Sequence, residues 1–385
     1  MSDPLTQLHH AADADFCPYA GSAIVETFGE PQAEYAAFHR SAALLDCPQR
    51  GVLRITGKDR LAFLGNLLTA NVKELEPGFG TPSLLLNLKG RVVAELNVLE
   101  TVNATLIETD AHLLDMLADL LDRYLFADDV QIEKAPVRVF QMHGLTAVGV
   151  LASALDNEIG LLAKRQVIQP RLAGNTITIF RSELAKPYGL HLLVPTDAMI
   201  DVWEHLCAVG ASPDPDRPQM RKLRPAGWAA FNACRIEAGR ALPGIDYMLA
   251  PPSLPRVETD ASELSNGALP AELPHFDDVV SVTKGCYLGQ EVVARMHARK
   301  VVAKKIVGFR MDGDALPHAG GEVYDAAGEK QIGIVTSSTL SPVLSRAVVG
   351  LVNLPKAHFE PGTPLQIMAE GSRQPARVTT LPFHD

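Results

Sequence analysis

Apolar residues recur at helical spacing in several segments of the first 300 residues. In "TDAHLLDMLADLLDRYLF" leucines follow one another three or four positions apart, and Asp110 is placed to be the N-cap. "GKDRLAFLGNLLTANV" has the same amphipathic period. In "PTDAMIDVWEHLCAVG", Cys207 lies on the apolar face. The pattern therefore predicts three helices, with Cys207 as a small core residue rather than a reactive thiol.

Short alternating runs between these helices predict strands. "LLLNLKGRVVAELNV" predicts a hairpin that turns at Lys89-Gly90. On its second strand Arg91, Glu95 and Asn97 share one face, because side chains alternate in a strand. We expect that polar face to be exposed to solvent, and the alternative is that it lines a polar cavity. The other predicted strands are GVLRI, PSLLLN, ATLIET, VRVFQM and NTITIF.

The pattern changes near residue 300. From there to the end, strand-like runs separated by Gly and Pro predict a small antiparallel barrel or sandwich. The earlier part mixes helices and strands, which indicates an α+β architecture. Residues 250–278 are rich in Pro, Ser and acidic residues and show little periodicity, so we expect an irregular connection there.

Length and composition indicate a globular protein of two or three domains. The chain has 385 residues, of which 47% are hydrophobic and 21% charged. Its first residues are polar and acidic, which argues against a secretory signal. Apolar runs long enough to span a membrane are lacking in the sequence, so we expect no membrane partner.

Cysteine number and charge exclude further classes. The five cysteines contain no C-x-x-C pair, which argues against a disulfide framework and favours the reducing cytoplasm. The net charge of −10 argues against a nucleic-acid partner. The twelve histidines lack metal-ligand spacing, so no metal site is expected.

Two basic clusters stand out from the acidic background. Each is either a solvated charged face or an anion site. The first contains Arg217, Arg221, Lys222 and Arg224, and the second contains Arg295, His297, Arg299, Lys300, Lys304 and Lys305.

The segment "KGCYLGQEVVAR", Lys284 to Arg295, surrounds Cys286 with unusual neighbours. "DVVSVT" before it predicts a strand, Gly285 allows an unusual backbone angle, and a helix is predicted after Gly289. A cysteine near a helix N-terminus and a lysine can have a lowered pKa and be reactive. The alternative is an inert cysteine in a turn.

A second segment, "WAAFNACRIEAGRALPGID", predicts a helix with Gly239 as its C′ residue. Arg235 and Glu237 lie in its last turn, where side chains can reach a neighbouring cavity. The alternative is a surface ion pair worth less than about 1 kcal/mol.

These segments together resemble one superfamily. "FHRSAALLD", "LLNLKGRVVAELNV", "RIEAGRALPGID" and "KGCYLGQEVVAR" occur in the order found in YgfZ-type folate-binding proteins, relatives of the aminomethyltransferase (T-protein) of the glycine cleavage system. The resemblance extends from about Ala33 to the C-terminus. "RIEAG" is common to both branches, whereas "KGCYLGQE" resembles the signature of the YgfZ branch.

The resemblance implies an α+β fold with intertwined folate-binding domains around a central channel, plus a C-terminal β-barrel. It implies a folate-binding region over residues 1–299, with one subdomain inserted at roughly 55–135, and a barrel over 300–385. It also implies tetrahydrofolate as the cofactor and iron–sulfur enzymes or assembly proteins as partners. We expect such a protein to be a cytoplasmic monomer.

The chain departs from the aminomethyltransferase pattern in two places. Those enzymes carry an acidic pair, including a catalytic aspartate, where this chain has Ala94 and Glu95. They also carry a "GYTGE"-like segment whose glutamate holds the pterin, and "RSELAKPYGLH" offers no clean match. Both departures argue against glycine-cleavage chemistry.

Three functions therefore remain in view. The first is a tetrahydrofolate-binding accessory protein for iron–sulfur enzymes, the second an aminomethyltransferase, and the third a non-catalytic scaffold. Tetrahydrofolate requires hydrogen-bonding groups for its pterin, apolar walls, and cations for its glutamate tail. The first basic cluster is a candidate for the tail. The candidate catalytic residues are Cys286 and Lys284, and the candidate folate-binding residues are Arg91, Glu95, Asn97, Arg235, Glu237, Tyr287, Gln290, Glu291 and Arg295.

Overall fold

A computed structural model describes residues 3–155, 162–182, 189–214, 217–255, 262–299 and 302–383, without the side chains of 213–221. The chain divides into two compact units. The first unit comprises Met1–Leu64, Val72–Pro82 and Leu96–Asn232, and the second comprises Gly65–Asn71, Ser83–Glu95 and Ala233–Asp385. The predicted division into 1–299 and 300–385 stays a prediction.

Helices are distributed along the chain up to residue 299. The α-helices are α1 Pro4–Ala11, α2 Pro31–Arg40, α3 Arg60–Leu67, α4 Leu114–Tyr124, α5 Ala147–Ala154, α6 Met199–Ala211, α7 Trp228–Glu237, α8 Phe276–Val279 and α9 Gln290–Arg299. Short 3-10 turns lie at Ala111–Leu113, Thr196–Ala198, Glu263–Ser265, Pro270–Glu272, Pro342–Leu344 and Lys356–His358. None of the described helices has both the length and the apolar character that crossing a bilayer requires.

A six-stranded sheet forms the centre of the first unit, in the order β10-β13-β14-β9-β3-β17. These strands are β3 Ala42–Asp46, β9 Val137–His143, β10 Val167–Ile168, β13 Thr178–Ser182, β14 Gly189–Pro195 and β17 Leu223–Pro225. β17 pairs with β3 in parallel, and the other pairs are antiparallel. Leu44, Phe140 and Leu192 of this sheet join Leu151 and Trp203 of the helices in one buried core.

A second sheet has the order β5-β6-β7-β4-β8. Its strands are β4 Arg50–Thr56, β5 Phe79–Leu86, β6 Val92–Glu100, β7 Thr105–Asp110 and β8 Gln131–Lys134. β5 and β6 are joined by the predicted hairpin, in which Gly90 has a φ of 68° and donates its N–H to Asn87 O at 2.8 Å. The predicted turn at Lys89-Gly90 is confirmed.

Three further short pairs of strands complete the described α+β part. They are β1 Asp15–Tyr19 with β2 Ser22–Thr27, β11 Arg171–Leu172 with β12 Asn175–Thr176, and β15 Pro213–Asp214 with β16 Arg217–Arg221. Each pair is antiparallel.

The C-terminal region is a closed six-stranded barrel in the order β18-β21-β20-β19-β22-β23. Its strands are β18 Lys304–Met311, β19 Glu322–Tyr324, β20 Gln331–Ser341, β21 Ala347–Pro355, β22 Pro364–Ala369 and β23 Ser372–Thr379. Every pair is antiparallel, and alternating apolar residues such as Phe309, Val335, Val352 and Ile367 fill the interior. The predicted α+β fold with a C-terminal antiparallel barrel is confirmed.

One local prediction was wrong, and a second was confirmed in position only. Residues 278–283 were predicted as a strand, but helix α8 ends at Val279 and bends follow it. A short apolar run does not distinguish strand from helix, and Asp277 and Asp278 suit the first turn of a helix. Asp110 is the N-cap residue of the 3-10 turn Ala111–Leu113 that precedes α4, as predicted, but its side chain makes no capping hydrogen bond. Its carboxylate instead accepts a hydrogen bond from Arg50 at 2.6 Å.

Candidate functional site

The motif glycine Gly289 lies directly against the turn of the β5–β6 hairpin in the second unit. Gly289 has a φ of 78°, and a Cβ there would lie 2.6 Å from Asn87 O. A Cβ on Gly90 would lie 2.8 Å from the Cβ of Val292. Only glycine allows this approach, so the two segments that carry the resemblance form one structural element. Gly285 was expected to allow an unusual backbone angle, but the positive φ occurs at Gly289 instead.

Asn87 fixes the shape of that turn and is fully buried. Its Oδ1 accepts hydrogen bonds from the backbone N–H groups of Lys89 and Arg91, at 3.0 and 3.1 Å. Its Nδ2 donates to the carbonyl oxygens of Pro251 and Leu264, at 3.1 and 2.9 Å. All the hydrogen-bonding capacity of this amide is used within the second unit.

Lys284 binds carbonyl oxygens at the end of helix α3. Its ammonium donates to Gly65 O at 2.9 Å, to Ala70 O at 2.8 Å and to Leu68 O. It also lies 5.0 Å from the ring centroid of Tyr287. The cation therefore satisfies carbonyls at a helix C-terminus. Its catalytic role beside Cys286 stays a prediction.

Cys286 differs from the other four cysteines in exposure. It is exposed, whereas Cys47 and Cys234 are buried and Cys17 and Cys207 are partly buried. Burial raises the pKa of Cys207 to about 12, with a smaller contribution from the charge of Glu204. Cys207 also packs against the core of the first unit, as predicted. Accessibility of the thiol thus sets Cys286 apart.

The other candidates in the motif differ in their exposure. Tyr287 is buried, which raises the pKa of its hydroxyl to about 12. Gln290 begins helix α9 and is partly buried. Glu291 and Arg295 are exposed on that helix. Their roles in folate binding stay predictions.

Glu95 is the centre of a buried polar cluster in the second unit. Its Oε1 accepts a hydrogen bond from Arg240, and its Oε2 accepts one from the Tyr247 hydroxyl at 2.6 Å. His275 Nε2 lies 3.0 Å from the same Oε2. The prediction that Glu95 is exposed was wrong, because the carboxylate has partners that compensate its loss of water.

The pKa values within this cluster have a clear direction. Burial alone would raise the pKa of Glu95, but Arg240 and His275 outweigh it and hold that pKa below its usual range. Burial, together with the charge of Arg240, lowers the pKa of His275. At neutral pH a neutral His275 therefore donates to an ionised Glu95. Ala94 beside it carries no functional group.

Arg91 lies just before strand β6 and serves the loop rather than the strand face. Its Nη1 donates to Gly267 O at 2.8 Å and lies 3.9 Å from a carboxylate oxygen of Glu272. The side chain is partly exposed. Its proposed contact with folate stays a prediction.

Arg235 and Glu237 bind residues of the second unit. Arg235 is almost fully buried, and it forms an ion pair with Asp246 and donates to Ser337 Oγ at 2.6 Å. Glu237 Oε1 accepts a hydrogen bond from Ser341 at 2.5 Å. These bonds attach the last turn of helix α7 to strand β20, and the solvent-exposed ion pair considered above is not formed. A direct contact of either residue with folate stays a prediction.

Asn97 belongs to a different cluster, in the first unit. Its Nδ2 donates to Glu108 Oε2 at 2.8 Å, and His191 Nδ1 lies 2.8 Å from the same oxygen. Arg50 Nε donates to Glu108 Oε1 at 2.9 Å. Asn97 and Glu108 are buried, so the prediction of an exposed face was wrong here as well. Burial opposes ionisation of Glu108, but His191 and Arg50 hold its pKa below the usual range.

Sequence reasoning missed Glu108 and His191. Glu108 lies within the predicted strand "ATLIET" and His191 within β14, 83 residues away. Glu108 belongs to no motif, and His191 is the last residue of "RSELAKPYGLH", the segment that offered no clean match. The available signal was the presence of a charged residue, Glu108, and a polar aromatic residue, His191, inside strands that are otherwise mostly apolar.

The first basic cluster is described in part. The side chains of Arg217 and Arg221 lie outside the described residues, as does Lys300 of the second cluster. Lys222 is partly buried, and Arg224 forms an ion pair with Glu30. A role of this cluster in binding the glutamate tail stays a prediction.

Two family profiles match the chain. The GCVT N-terminal domain matches residues 5–249, and the glycine cleavage T-protein C-terminal barrel domain matches residues 304–385. Together they cover the α+β part and the barrel.

Individual proteins are similar over nearly the whole length. An aminomethyltransferase of Saccharopolyspora erythraea is 28% identical over 99% of this chain and 97% of its own. An aminomethyltransferase of Chlorobaculum tepidum is 24% identical over 98% of this chain and 97% of its own. The crystal structure of glycine cleavage system aminomethyltransferase T from Bartonella henselae has a TM-score of 0.82, at 22% identity over 99% of this chain and 97% of its own. That structure supports the fold alone.

Proposed function

We propose, from the premise that the chain belongs to the GCVT (glycine cleavage T-protein) family, that it binds tetrahydrofolate without catalysing glycine-cleavage aminomethyl transfer. Within that family we place it in the YgfZ-type branch, as a folate-dependent accessory protein for iron–sulfur enzymes. The family and the names of its relatives support the folate half of this proposal. The motif "KGCYLGQEVVAR" supports the accessory half.

The observation that carries the proposal is that the Glu95 carboxylate is buried and already hydrogen-bonded to other residues. The neighbouring Ala94 has no acidic group, and both carboxylate oxygens of Glu95 accept hydrogen bonds from buried partners. Its pKa is held below the usual range, so it is a poor proton acceptor at neutral pH. The position where the aminomethyltransferases carry their acidic pair therefore offers no carboxylate poised to react.

Aminomethyl transfer to tetrahydrofolate is the second candidate, and a specific observation favours it. The relatives named aminomethyltransferase match over nearly their full length, at 24–28% identity. A protein that is similar to these enzymes over their whole length can also catalyse their reaction, with residues other than an aspartate on β6. The two candidates share folate binding and differ in turnover.

One experiment separates them. Tetrahydrofolate binding is measured by calorimetry, and methylene-tetrahydrofolate formation is measured with aminomethylated lipoyl carrier protein as the donor. The Bartonella henselae protein serves as the active reference. We expect saturable binding with no methylene-tetrahydrofolate above background. Turnover near that of the reference would establish the second candidate, and failure to bind would refute both.

The accessory role depends on Cys286 as an accessible nucleophile. It can act on an electrophile, carry a one-carbon or sulfur group, or undergo reversible oxidation. We expect Cys286→Ser to keep folding and tetrahydrofolate affinity but to lose support of iron–sulfur enzymes in a deletion strain. Full complementation by the serine variant would leave folate binding in place and remove the thiol from the mechanism.

Alkylation rates test the same thiol in the purified protein. Burial raises the pKa of Cys207 to about 12, so its thiolate is scarce at neutral pH. We expect iodoacetamide to label Cys286 at least about a hundredfold faster than Cys207, measured by peptide mass spectrometry. Equal rates at the two positions would contradict an accessible, reactive Cys286.

A further inference from the structure

Strand β18 of the C-terminal barrel is only partly covered on one of its two edges. Strand β21 pairs with it from Lys304 to Met311, whereas β23 pairs with it only from Gly308 to Met311. Strand β23 ends at Thr379, opposite Gly308, and the chain does not continue the ladder beyond that pair. In the part of the barrel that the structure describes, residues 304–307 therefore have a partner strand on one edge only.

The register of the barrel shows which backbone groups face the uncovered edge. The N–H of Lys356 donates to Ala303 O at 2.9 Å, in line with the β18–β21 ladder, so the odd-numbered residues of β18 bond to β21. Because consecutive residues of an antiparallel strand bond in alternate directions, Ile306 turns its N–H and C=O toward the other edge. The β23 ladder ends at the pair of Gly308 and Thr379, one hydrogen-bonded pair before Ile306. One backbone donor and one backbone acceptor thus face the uncovered edge.

A cavity of about 280 Å³ lies along this edge, within the second unit. Its walls are the strand itself, the connection before β22 and the chain that follows β23, and they include Ile306, Val307, Phe359, Pro361, Thr380 and Leu381. Sites for whole small molecules usually measure roughly 300–1,000 Å³. This cavity is smaller, so it suits one or two side chains of an extended peptide better than a cofactor.

The side chains beside the uncovered edge favour an apolar residue followed by an acidic one. Val307 packs against the barrel core, so Ile306 and Lys304 point to the outer face. Ile306 is 2% exposed, whereas the Lys304 side chain is 48% exposed and its ammonium lies 3.9 Å from the carboxylate of Glu272. Side chains opposite each other on paired strands share a face, and opposite charges there attract. In an antiparallel partner, the residue opposite Lys304 comes two positions after the residue opposite Ile306.

We propose that this edge binds an extended peptide segment of a partner protein as an added antiparallel strand. An apolar residue of the peptide lies opposite Ile306, and an acidic residue two positions later lies opposite Lys304. The peptide backbone takes up the donor and the acceptor that β23 leaves unused. A lysine on a strand edge discourages indiscriminate pairing, and its charge makes the edge selective for an acidic strand. The inference does not depend on folate binding or on Cys286.

The first test uses the intact protein and a phage-displayed library of random octapeptides. We expect the selected sequences to share an apolar residue followed two positions later by Asp or Glu. The best of them is synthesised, together with a copy in which Lys replaces that acidic residue. Calorimetry should show the acidic peptide binding at least about fivefold more tightly than the lysine copy. Selected sequences without this pattern, or equal affinities of the two peptides, would overturn the inference.

Two variants, each with a matched control, test whether the peptide lies on this edge. Thr380→Trp fills the cavity from an exposed wall, and Ser372→Trp adds the same ring at an exposed position at the other end of β23. We expect Thr380→Trp to weaken the peptide more than about tenfold, because two backbone hydrogen bonds are lost, and Ser372→Trp to have no effect. Lys304→Gln should weaken the acidic peptide about threefold, unlike Lys330→Gln at another exposed position of the barrel. Wild-type affinity in Thr380→Trp would place the peptide elsewhere and contradict the inference.

Hydrogen exchange in the wild-type protein, measured by NMR, needs no altered side chain. The Ile306 N–H faces the uncovered edge, whereas Gly308 is paired with Thr379. We expect the Ile306 N–H to exchange at least about tenfold more slowly with saturating peptide, while the Gly308 N–H stays protected throughout. Slow exchange at Ile306 without peptide would mean that this chain or a second copy already covers the edge. That result, or an unchanged rate at saturation, would overturn the inference.

Discussion

Glu95 and Glu108 lie on neighbouring strands, and each is a buried glutamate bonded to an arginine and a histidine. They differ in how their partners are satisfied. Around Glu95, Arg240, His275 and Tyr247 close on the carboxylate. Around Glu108, Asn97 is left with a buried acceptor that has no partner in the described residues. The Glu95 carboxylate is therefore saturated with hydrogen bonds, whereas the Glu108 cluster keeps one polar atom without a partner among the described residues.

This comparison bears on what a motif residue does. Glu95, which the sequence makes conspicuous beside the glycine turn, is fully engaged in holding the second unit together. Glu108, which lies outside the motifs, is hydrogen-bonded to Asn97, His191 and Arg50 in the first unit. Conspicuous chemistry in a sequence is therefore not by itself a sign of reactivity, since a saturated network removes it.

The largest expected loss of stability follows from removing the positive charge of Arg240 from the Glu95 cluster. Arg240→Met leaves Glu95 as a buried carboxylate without its guanidinium, and we expect the free energy of unfolding to fall by about 3–5 kcal/mol. Arg50→Met should cost less, because the side chain of Arg50 is 18% exposed and water can reach the carboxylates it leaves. Urea denaturation followed by circular dichroism measures both.

Arg123→Met, at an exposed position on helix α4, controls for the loss of any arginine. It should change stability by less than about 0.5 kcal/mol. A loss below 1 kcal/mol for Arg240→Met would mean that the Glu95 cluster does not stabilise the fold, and the contrast with the Glu108 cluster would be wrong.

A smaller effect distinguishes two asparagines near the same hairpin. Asn87→Ala strands two backbone N–H groups and two carbonyl oxygens, and we expect a loss of about 2–4 kcal/mol. Asn97→Ala removes one hydrogen bond together with an unpaired acceptor, so the apo protein should lose about 1 kcal/mol or less. Urea denaturation without ligand gives both values.

The order of these two losses is the informative result. Equal losses would indicate that Asn97 is as fully hydrogen-bonded as Asn87. The Glu108 cluster would then be saturated in the same way as the Glu95 cluster.

Most secondary structure was predictable because it depends on local periods. All six barrel strands and the hairpin at Gly90 follow from alternation and turn residues. The helix that ends at Glu237, with Gly239 at a φ of 69°, follows from its C-terminal glycine. The failure at 278–283 has the same origin, since a run of that length carries no decisive period.

The site was less predictable because its residues meet over long sequence distances. The partner of Glu95, His275, is 180 residues further along the chain. The partner of Glu108, His191, is 83 residues further along. A strand pattern assigns a residue to a face, but it does not reveal what packs on that face. The expectation of solvent exposure for Glu95 and Asn97 therefore failed, although the polar face itself was read correctly.

The smallest expected effect is the pH dependence of the stability that the Glu95 cluster contributes. The pKa of His275 is lowered below its ordinary 6.5, so the unfolded chain binds more protons than the folded one as pH falls through that value. Stability should therefore be constant above about pH 7 and decline below 6.5, by at most about 1.4 kcal/mol for each unit of pKa shift.

Glu95 extends that decline, because its pKa is lowered from the ordinary 4.5 and its contribution is lost as pH falls below 4.5. His275→Gln should flatten the limb between pH 6.5 and 4.5, whereas Glu95→Gln should flatten the part below 4.5. His112→Gln, an exposed histidine, is the control and should keep the wild-type profile. Urea midpoints measured from pH 4 to pH 8 decide it, and an unchanged profile in His275→Gln would mean that His275 is not the neutral donor that closes the Glu95 cluster.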